Sequence, residues 1–249
     1  EKILVTQTSK KLKKRLKKLK KLLPNISGLQ LMLPENLLKK LQHRLSKYTK
    51  YIKIMFDKII LASKSGVRKK ILEENQIRCI VEPSNVDEDS VKDSLLKENA
   101  TPEIISKNLA ELKANKISQK RNGDLVLGAD SVIDFKGKII SKPINRKEAL
   151  EILLKLNGQT HHLISSVCIS QNGSMIWNYT DKASLTMKIM RENELISYLA
   201  KISDEALYAY NVYQIEGEGR SLFSKIDGDE DTIMGLPVKK IKEYLNNYK

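Results

Sequence analysis

The sequence has few of the residues that build metal cages or disulfide frameworks. It contains two cysteines, Cys79 and Cys168, which lie far apart and form no CxxC pair, and its three histidines form no HExxH pattern. This composition excludes a cysteine-based metal centre and is typical of a reducing, cytoplasmic compartment. Aromatic residues make up only 5% of the chain, but hydrophobic residues make up 41%, which is enough to build a core.

Long hydrophobic runs are also absent. No apolar run approaches the length of about 18 residues that a helix needs to cross a bilayer. No apolar block follows the basic run near the N-terminus, as it would in a secretory signal. The sequence therefore predicts a cytoplasmic protein that has no membrane partner.

The net charge of +15 is unevenly distributed along the 249 residues. Residues 1–54 contain 16 Lys and Arg residues but only 2 acidic residues, whereas residues 55–249 contain 29 basic and 28 acidic residues. The basic character therefore belongs to the first 54 residues, and the remainder has the composition of an ordinary globular domain. We expect a basic N-terminal extension, 1–54, followed by one domain, 55–249.

Three interpretations of the extension remain open. Leucines at spacings of three and four, surrounded by lysines, predict an amphipathic helix that would bind RNA or anionic lipid. A solvated or disordered tail has the same composition. The first residue is Glu, and Met55 stands just before the first strand-like run, so translation from Met55 would make residues 1–54 non-native. We expect no nucleic-acid partner except through residues 1–54.

Beyond Met55, strand-like and helix-like segments alternate. The predicted strands span 59–63, 80–83, 125–129 and 183–189, and the predicted hairpins pair 132–134 with 138–141 and 160–170 with 175–179. The predicted helices span 67–76, 102–119, 146–156, 192–202 and 238–247. The mixture of crossovers and hairpins predicts an α/β fold with a mixed sheet.

Two segments combine strand ends with charged residues. Residues 61–72 form a strand, a Ser/Lys/Gly loop and a helix with Arg68 in its first turn, which would bind an anion or form a plain strand–helix turn. Asp130 follows an apolar strand, at the carboxyl end where ligands gather in open α/β sheets. A carboxylate there would hold a metal or activate water, or would simply form a turn or cap a helix. Lys142 lies where the next hairpin would return it toward Asp130.

Several motifs in one order resemble the Maf family. The motifs are ASKSGVRKKIL (62–72), NVDED (85–89), LAELKA (109–114), GADSV (128–132), SKP (141–143), LNGQTH (156–161) and GLP (235–237). They are similar to the family's ASxSPRRxELL, DVDE, LAxxKA, GADTV, GKP, LSGxTH and GLP. Residues 58–247 carry the resemblance, and several collinear motifs make it specific.

The resemblance implies a two-lobed α/β fold, similar to that of inosine-triphosphate pyrophosphatases, with a mixed twisted sheet and a central cleft. It implies hydrolysis of a nucleoside triphosphate to the monophosphate and pyrophosphate, a divalent cation (Mg, Mn or Co), and a homodimer. It places the general base on Asp130 and the metal on Glu88 and Asp130. It places phosphate contacts on Ser65, Arg68, Lys113 and Lys142.

Three departures from the family pattern fall at positions tied to base choice. Val67 replaces the first Arg of SPRR, Ser131 replaces the Thr of GADTV, and Glu216 replaces the Gln of GIQG. An amide both donates and accepts, which suits uracil or thymine, whereas a carboxylate only accepts, which suits the N1–H and N2 amino group of guanine. The QIEGEG form resembles the branch associated with 7-methyl-GTP. We therefore expect 7-methyl-GTP as the substrate, although the charge lost at Val67 would equally fit weakened activity.

Three other functions are compatible with parts of the sequence. One is a dTTP/UTP pyrophosphatase of the same family. Another is a nucleotide-binding or nucleic-acid-binding regulator that works through the basic extension. The third is an enzyme of the inosine-triphosphate pyrophosphatase type, against which the collinear motifs argue.

Overall fold

The computed structural model describes residues 58–248. The predictions for residues 1–54, including the domain boundary, lie outside this range and stay predictions. Within the described range, no helix is long and apolar enough to cross a membrane.

A single seven-stranded sheet organises the described residues. Its strands are β1 (Lys58–Leu61), β2 (Arg78–Val81), β3 (Val126–Phe135), β4 (Lys138–Ile140), β5 (Thr160–Gln171), β6 (Ser174–Met187) and β7 (Phe223–Asp227). The helices are α1 (Gly66–Glu74), α2 (Glu88–Lys97), α3 (Pro102–Ser118), α4 (Arg146–Leu156), α5 (Glu192–Ala200), α6 (Asp204–Tyr210), α7 (Glu230–Ile233) and α8 (Val238–Asn247), with a 3-10 turn at Glu218–Leu222.

The strand order β2-β1-β3-β5-β6-β7, with β4 paired to β3, makes the sheet mixed. Strand β1 runs parallel to both β2 and β3. All the other pairs are antiparallel. The predicted α/β class with a mixed sheet is confirmed.

The two largest hydrophobic cores among the described residues divide the long strands β3, β5 and β6 between them. The first core contains Leu61 of β1, Leu127 of β3 and Ile241 of α8. The second contains Phe135 at the far end of β3, together with Leu153 of α4 and residues of α5 and α6. Each core covers one half of the sheet with its own helices, which is the two-lobed arrangement that we predicted.

Helix α3 lies unusually close to β3, and Gly128 makes this approach possible. A Cβ atom at Gly128 would lie 2.1 Å from the carbonyl oxygen of Ala110 and 2.7 Å from the backbone nitrogen of Ala114. Both neighbours are helix backbone and cannot move alone, so any side chain at this position would push α3 away. Lys113, between these two alanines, is thereby held beside β3.

The predicted position of Asp130 at a strand end was wrong. Strand β3 continues through Asp130 to Phe135, because it pairs with the long β5 along its whole length. The predicted strand 183–189 is also not a separate strand, because it forms the second half of β6. Sequence patterns missed α2, α6, α7 and β7. None of the residues of α2 is buried, so it has no apolar stripe to reveal it.

A buried histidine should make the domain sensitive to acid. Burial, with a smaller contribution from His162, lowers the pKa of His161 to about 4, against about 6.5 in an unfolded chain. The unfolded state therefore binds the proton first, and stability falls as the pH drops from about 6.5 toward 4, by about 3 kcal/mol at most.

Replacing His161 by Gln should remove this pH dependence, since an amide can still bond to the Tyr213 hydroxyl, which lies 2.7 Å from His161 Nε2. Urea unfolding of both proteins between pH 7 and 4 measures the difference. Parallel losses of stability in the two proteins would contradict the assignment to His161.

Candidate active site

The site forms where β1 ends and β3 continues. Ala62 N donates to the carbonyl oxygen of Leu127 at 2.8 Å, and the chain then leaves the sheet for α1. Ser65 caps α1, and its side chain accepts a hydrogen bond from Arg68 N at 3.3 Å. Beyond this point the edge of β3 has no β1 residue beside it, so its backbone is open to other donors.

The guanidinium of Arg68 occupies the gap left by β1. Its Nη1 donates to the carbonyl oxygen of Ala129 at 3.0 Å and to Ser63 Oγ at 3.3 Å. Its Nη2 donates to Ser131 Oγ at 3.1 Å, and its Nε donates to the carbonyl oxygen of Gly235 at 2.9 Å. All four acceptors are neutral, so the positive charge of Arg68 is oriented by the protein but not paired within this set.

The charge of Arg68 is affected by its burial and by two nearby acids. Burial lowers the pKa of Arg68, while the charges of Asp130 and Glu88 oppose the shift. The ordinary pKa of arginine lies so high that the group stays charged. A cation that has no carboxylate partner among the described residues favours an anion at this position, such as a phosphate group.

Lys113 lies between two carboxylates. Its Nζ is 2.8 Å from Asp130 Oδ1 and 2.8 Å from Glu88 Oε1. The side chains of Lys113 and Asp130 are only 7% and 6% exposed, whereas that of Glu88 is 42% exposed. Asp130 therefore has one oxygen bound to Lys113, and its other oxygen, Oδ2, is buried and has no hydrogen-bond partner among the described residues.

Two further charges interact with this group. Partial burial alone would raise the pKa of Glu88, but Lys113, Lys92 and Lys142 together hold it below its ordinary value. Desolvation lowers the pKa of Lys142, an effect that Glu88 opposes. Lys142 thus interacts electrostatically with the charge cluster formed by Glu88, Lys113 and Asp130, which agrees with a hairpin that returns toward Asp130.

The structure brings together seven of the eight residues predicted to form the site. These are Ser65, Arg68, Glu88, Lys113, Asp130, Ser131 and Lys142. Glu216 is not among them: it is exposed on the turn before the 3-10 segment, and it forms no hydrogen bond or ion pair with the side chains that the structure describes. This turn leads into β7, which β5 and β6 separate from β3.

Several residues that orient Arg68 were missed at the sequence level. They are Ser63, Ser165, Thr232 and the carbonyl group of Gly235. The detectable signal was the pair of serines in the apolar stretch LISSVCI of β5, because polar residues inside a buried strand need partners.

Comparison with known proteins shows the family to which the chain belongs. The family model described as Maf-like protein matches residues 58–248. A nucleoside triphosphate pyrophosphatase of Pelagibacter ubique is 80% identical over 191 residues, which cover 77% of this chain and 98% of that protein. A protein of the same name from Ruegeria pomeroyi is 40% identical, covering 75% and 94% of the two chains.

A third relative has a more specific name. The 7-methyl-GTP pyrophosphatase of Brucella abortus is 36% identical over 181 residues, which cover 73% of this chain and 91% of that protein. Since the family model spans the described residues and the relatives align over nearly their full lengths, the chain belongs to the Maf family and is a nucleoside triphosphate pyrophosphatase.

Proposed function

We propose that this enzyme hydrolyses the bond between the α- and β-phosphates of 7-methyl-GTP, with Asp130 as general base. The observation that supports Asp130 as the base is the hydrogen bonding of its two carboxylate oxygens. One oxygen is fixed by Lys113 at 2.8 Å. The other is buried and has no partner within the described residues. A buried oxygen of this kind needs a donor other than these residues, and the attacking water would supply one.

The cations around Asp130 would bind and neutralise the phosphates. Hydrolysis of a phosphoanhydride depends on positioning and charge neutralisation more than on covalent chemistry. Arg68 supplies an oriented charge that is bonded only to neutral acceptors, and Ser65 places its hydroxyl at the N-terminus of α1. Lys142 adds a further positive group, which interacts electrostatically with Glu88 and Asp130.

A divalent cation that binds together with the substrate phosphates would use the same residues. Glu88 and Asp130 lie on either side of one ammonium group, and Asp130 Oδ2 remains without a donor. Residues 58–248 contain no group of three or more His, Cys, Asp or Glu side chains arranged to hold a metal. Two carboxylates together with substrate phosphates are a usual set for Mg²⁺, which would supply further neutralisation of phosphate charge.

Glu216 supports the choice of 7-methylguanine. Its carboxylate is exposed and has no partner among the described residues, so it is available to a ligand. A carboxylate accepts hydrogen bonds from the N1–H and N2 amino group of guanine, and its charge favours the positive ring that N7 methylation creates. The name of the Brucella abortus relative points to the same substrate.

A panel of nucleotides tests this proposal. We expect the full-length enzyme with Mg²⁺ to have a higher kcat/KM for 7-methyl-GTP than for GTP, UTP or dTTP, measured as pyrophosphate release. Replacing Glu216 by Gln should lower kcat/KM for 7-methyl-GTP by about 10- to 100-fold, since a hydrogen bond to a charged group contributes about 1.5–3 kcal/mol. The same change should affect UTP little.

Glu218→Gln is the matched control, because Glu218 is an exposed acid two residues further along that pairs with Lys201 at 3.6 Å. It should leave the order of substrates unchanged. Faster turnover of dTTP and UTP by the unmodified enzyme would reject 7-methyl-GTP as the substrate.

A further inference from the structure

A chain of two hydroxyl groups connects Arg68 to the backbone of Thr232. Arg68 Nη2 lies 3.1 Å from Ser131 Oγ, which lies 2.9 Å from Ser165 Oγ. Ser165 Oγ in turn donates to the carbonyl oxygen of Thr232 at 2.7 Å. Ser131 and Ser165 face each other across β3 and β5, and the pair of serines is thus held by the register of the sheet.

The direction of each hydrogen bond in this chain is fixed. Because Ser165 gives its only proton to Thr232, it must accept from Ser131. Ser131 then has no proton left for Arg68 and accepts from the guanidinium instead. All the donors point the same way, and each bond polarises the next.

The turn between Thr232 and Gly235 closes this chain into a ring. Gly235 N donates to the carbonyl oxygen of Thr232 at 3.0 Å. The carbonyl oxygen of Gly235 accepts from Arg68 Nε at 2.9 Å. Arg68 is therefore bound to this turn twice, once directly and once through the two serines.

A second side-chain contact, besides that of Ser165, attaches the turn to the sheet. Thr232 Oγ1 donates to Asp181 Oδ2 at 2.6 Å, and Thr232 is fully buried. Asp181 lies on β6 directly opposite Ser165, so it continues the row of polar residues that starts at Ser131. Through this bond, the position of the carbonyl groups that hold Arg68 depends on a carboxylate two strands away from β3.

We propose that Thr232 and Asp181 are positioning residues that set the orientation of the Arg68 guanidinium for the substrate phosphates. This inference rests on the phosphate-binding role given to Arg68 above. Without the Thr232–Asp181 bond, the turn can shift, and Arg68 then loses fixed partners at both Nε and Nη2. The guanidinium stays charged but no longer has one preferred orientation.

A double-mutant cycle tests the proposal. Thr232→Val keeps the shape of the side chain and removes only its hydroxyl donor. In the full-length enzyme we expect it to lower kcat/KM by about tenfold, as small displacements of positioning groups do. In an Arg68→Ala background the same change should lower kcat/KM less than twofold, because the group that it positions is gone. Thr232→Ser should restore activity to within about twofold of the unmodified enzyme.

Asp181→Ala removes the acceptor of the same hydrogen bond, at a residue that is partly exposed. It should give the same pattern of activities as Thr232→Val. Equal factors for Thr232→Val in both backgrounds, or unchanged activity of Thr232→Val, would overturn the proposal. The cycle uses whichever triphosphate is turned over fastest, so a wrong substrate assignment leaves its result intact. Full activity of Arg68→Ala alone would instead reject both the phosphate role of Arg68 and the positioning of that residue.

Discussion

Replacing Asp130 by Asn should lower kcat by about 100-fold or more, with pyrophosphate release as the measurement. The amide is nearly isosteric with the carboxylate, but it cannot take a proton from water at neutral pH. It would also leave Lys113 paired only with the more exposed Glu88. The loss should appear mainly in kcat, since the phosphate-binding cations are retained.

Asp134→Asn is the matched control for this variant. Asp134 lies on the same strand and face as Asp130, is also buried, and contacts a lysine, Lys182, at 3.7 Å. It lies outside the charge cluster, so its replacement should leave kcat within about twofold of the unmodified enzyme, whatever its effect on stability. If Asp130→Asn retained full activity, or if the two variants lost activity equally, Asp130 would not be the general base.

Much of the fold was predictable because its elements leave strong local patterns. Helix α4 was predicted with its observed bounds, 146–156, since an apolar stripe fills it and Asn157-Gly158 follows it. The β4 pairing followed from the Lys-Gly turn. Short elements that are stabilised by distant contacts, such as α7, carry no such local pattern.

The candidate site was predictable as a set of residues but not as a network. Motif order placed Asp130, Arg68 and Lys113 together, and the structure agrees. The sequence could not show that Lys113 lies between two carboxylates, because Glu88 reaches it from α2, a helix with no buried residue. It also could not place Thr232 beside Asp181, since that contact joins segments 51 residues apart.

Replacing Lys113 by Met should have a large effect on both stability and metal binding. The ammonium compensates Asp130 and Glu88 at 2.8 Å each, and breaking a buried ion pair on one side costs about 3–5 kcal/mol. Glu88 is 42% exposed, so we expect the lower end of this range, about 3 kcal/mol. Urea unfolding measures this loss, and kcat should fall by about 100-fold as well.

Added Mn²⁺ should restore part of the stability that Lys113→Met loses. With the ammonium removed, the two carboxylates face each other without a cation, and a ligand at 100 times its Kd stabilises the folded state by about 2.7 kcal/mol. In the unmodified enzyme the ammonium occupies the position between these carboxylates, so Mn²⁺ without nucleotide should stabilise it much less.

Lys116→Met is the control, because Lys116 is on the next turn of α3 and bonds to the carbonyl oxygen of Asn85, not to a carboxylate. Equal stabilisation of all three proteins by Mn²⁺ would show that Lys113 and the metal do not compete for Glu88 and Asp130.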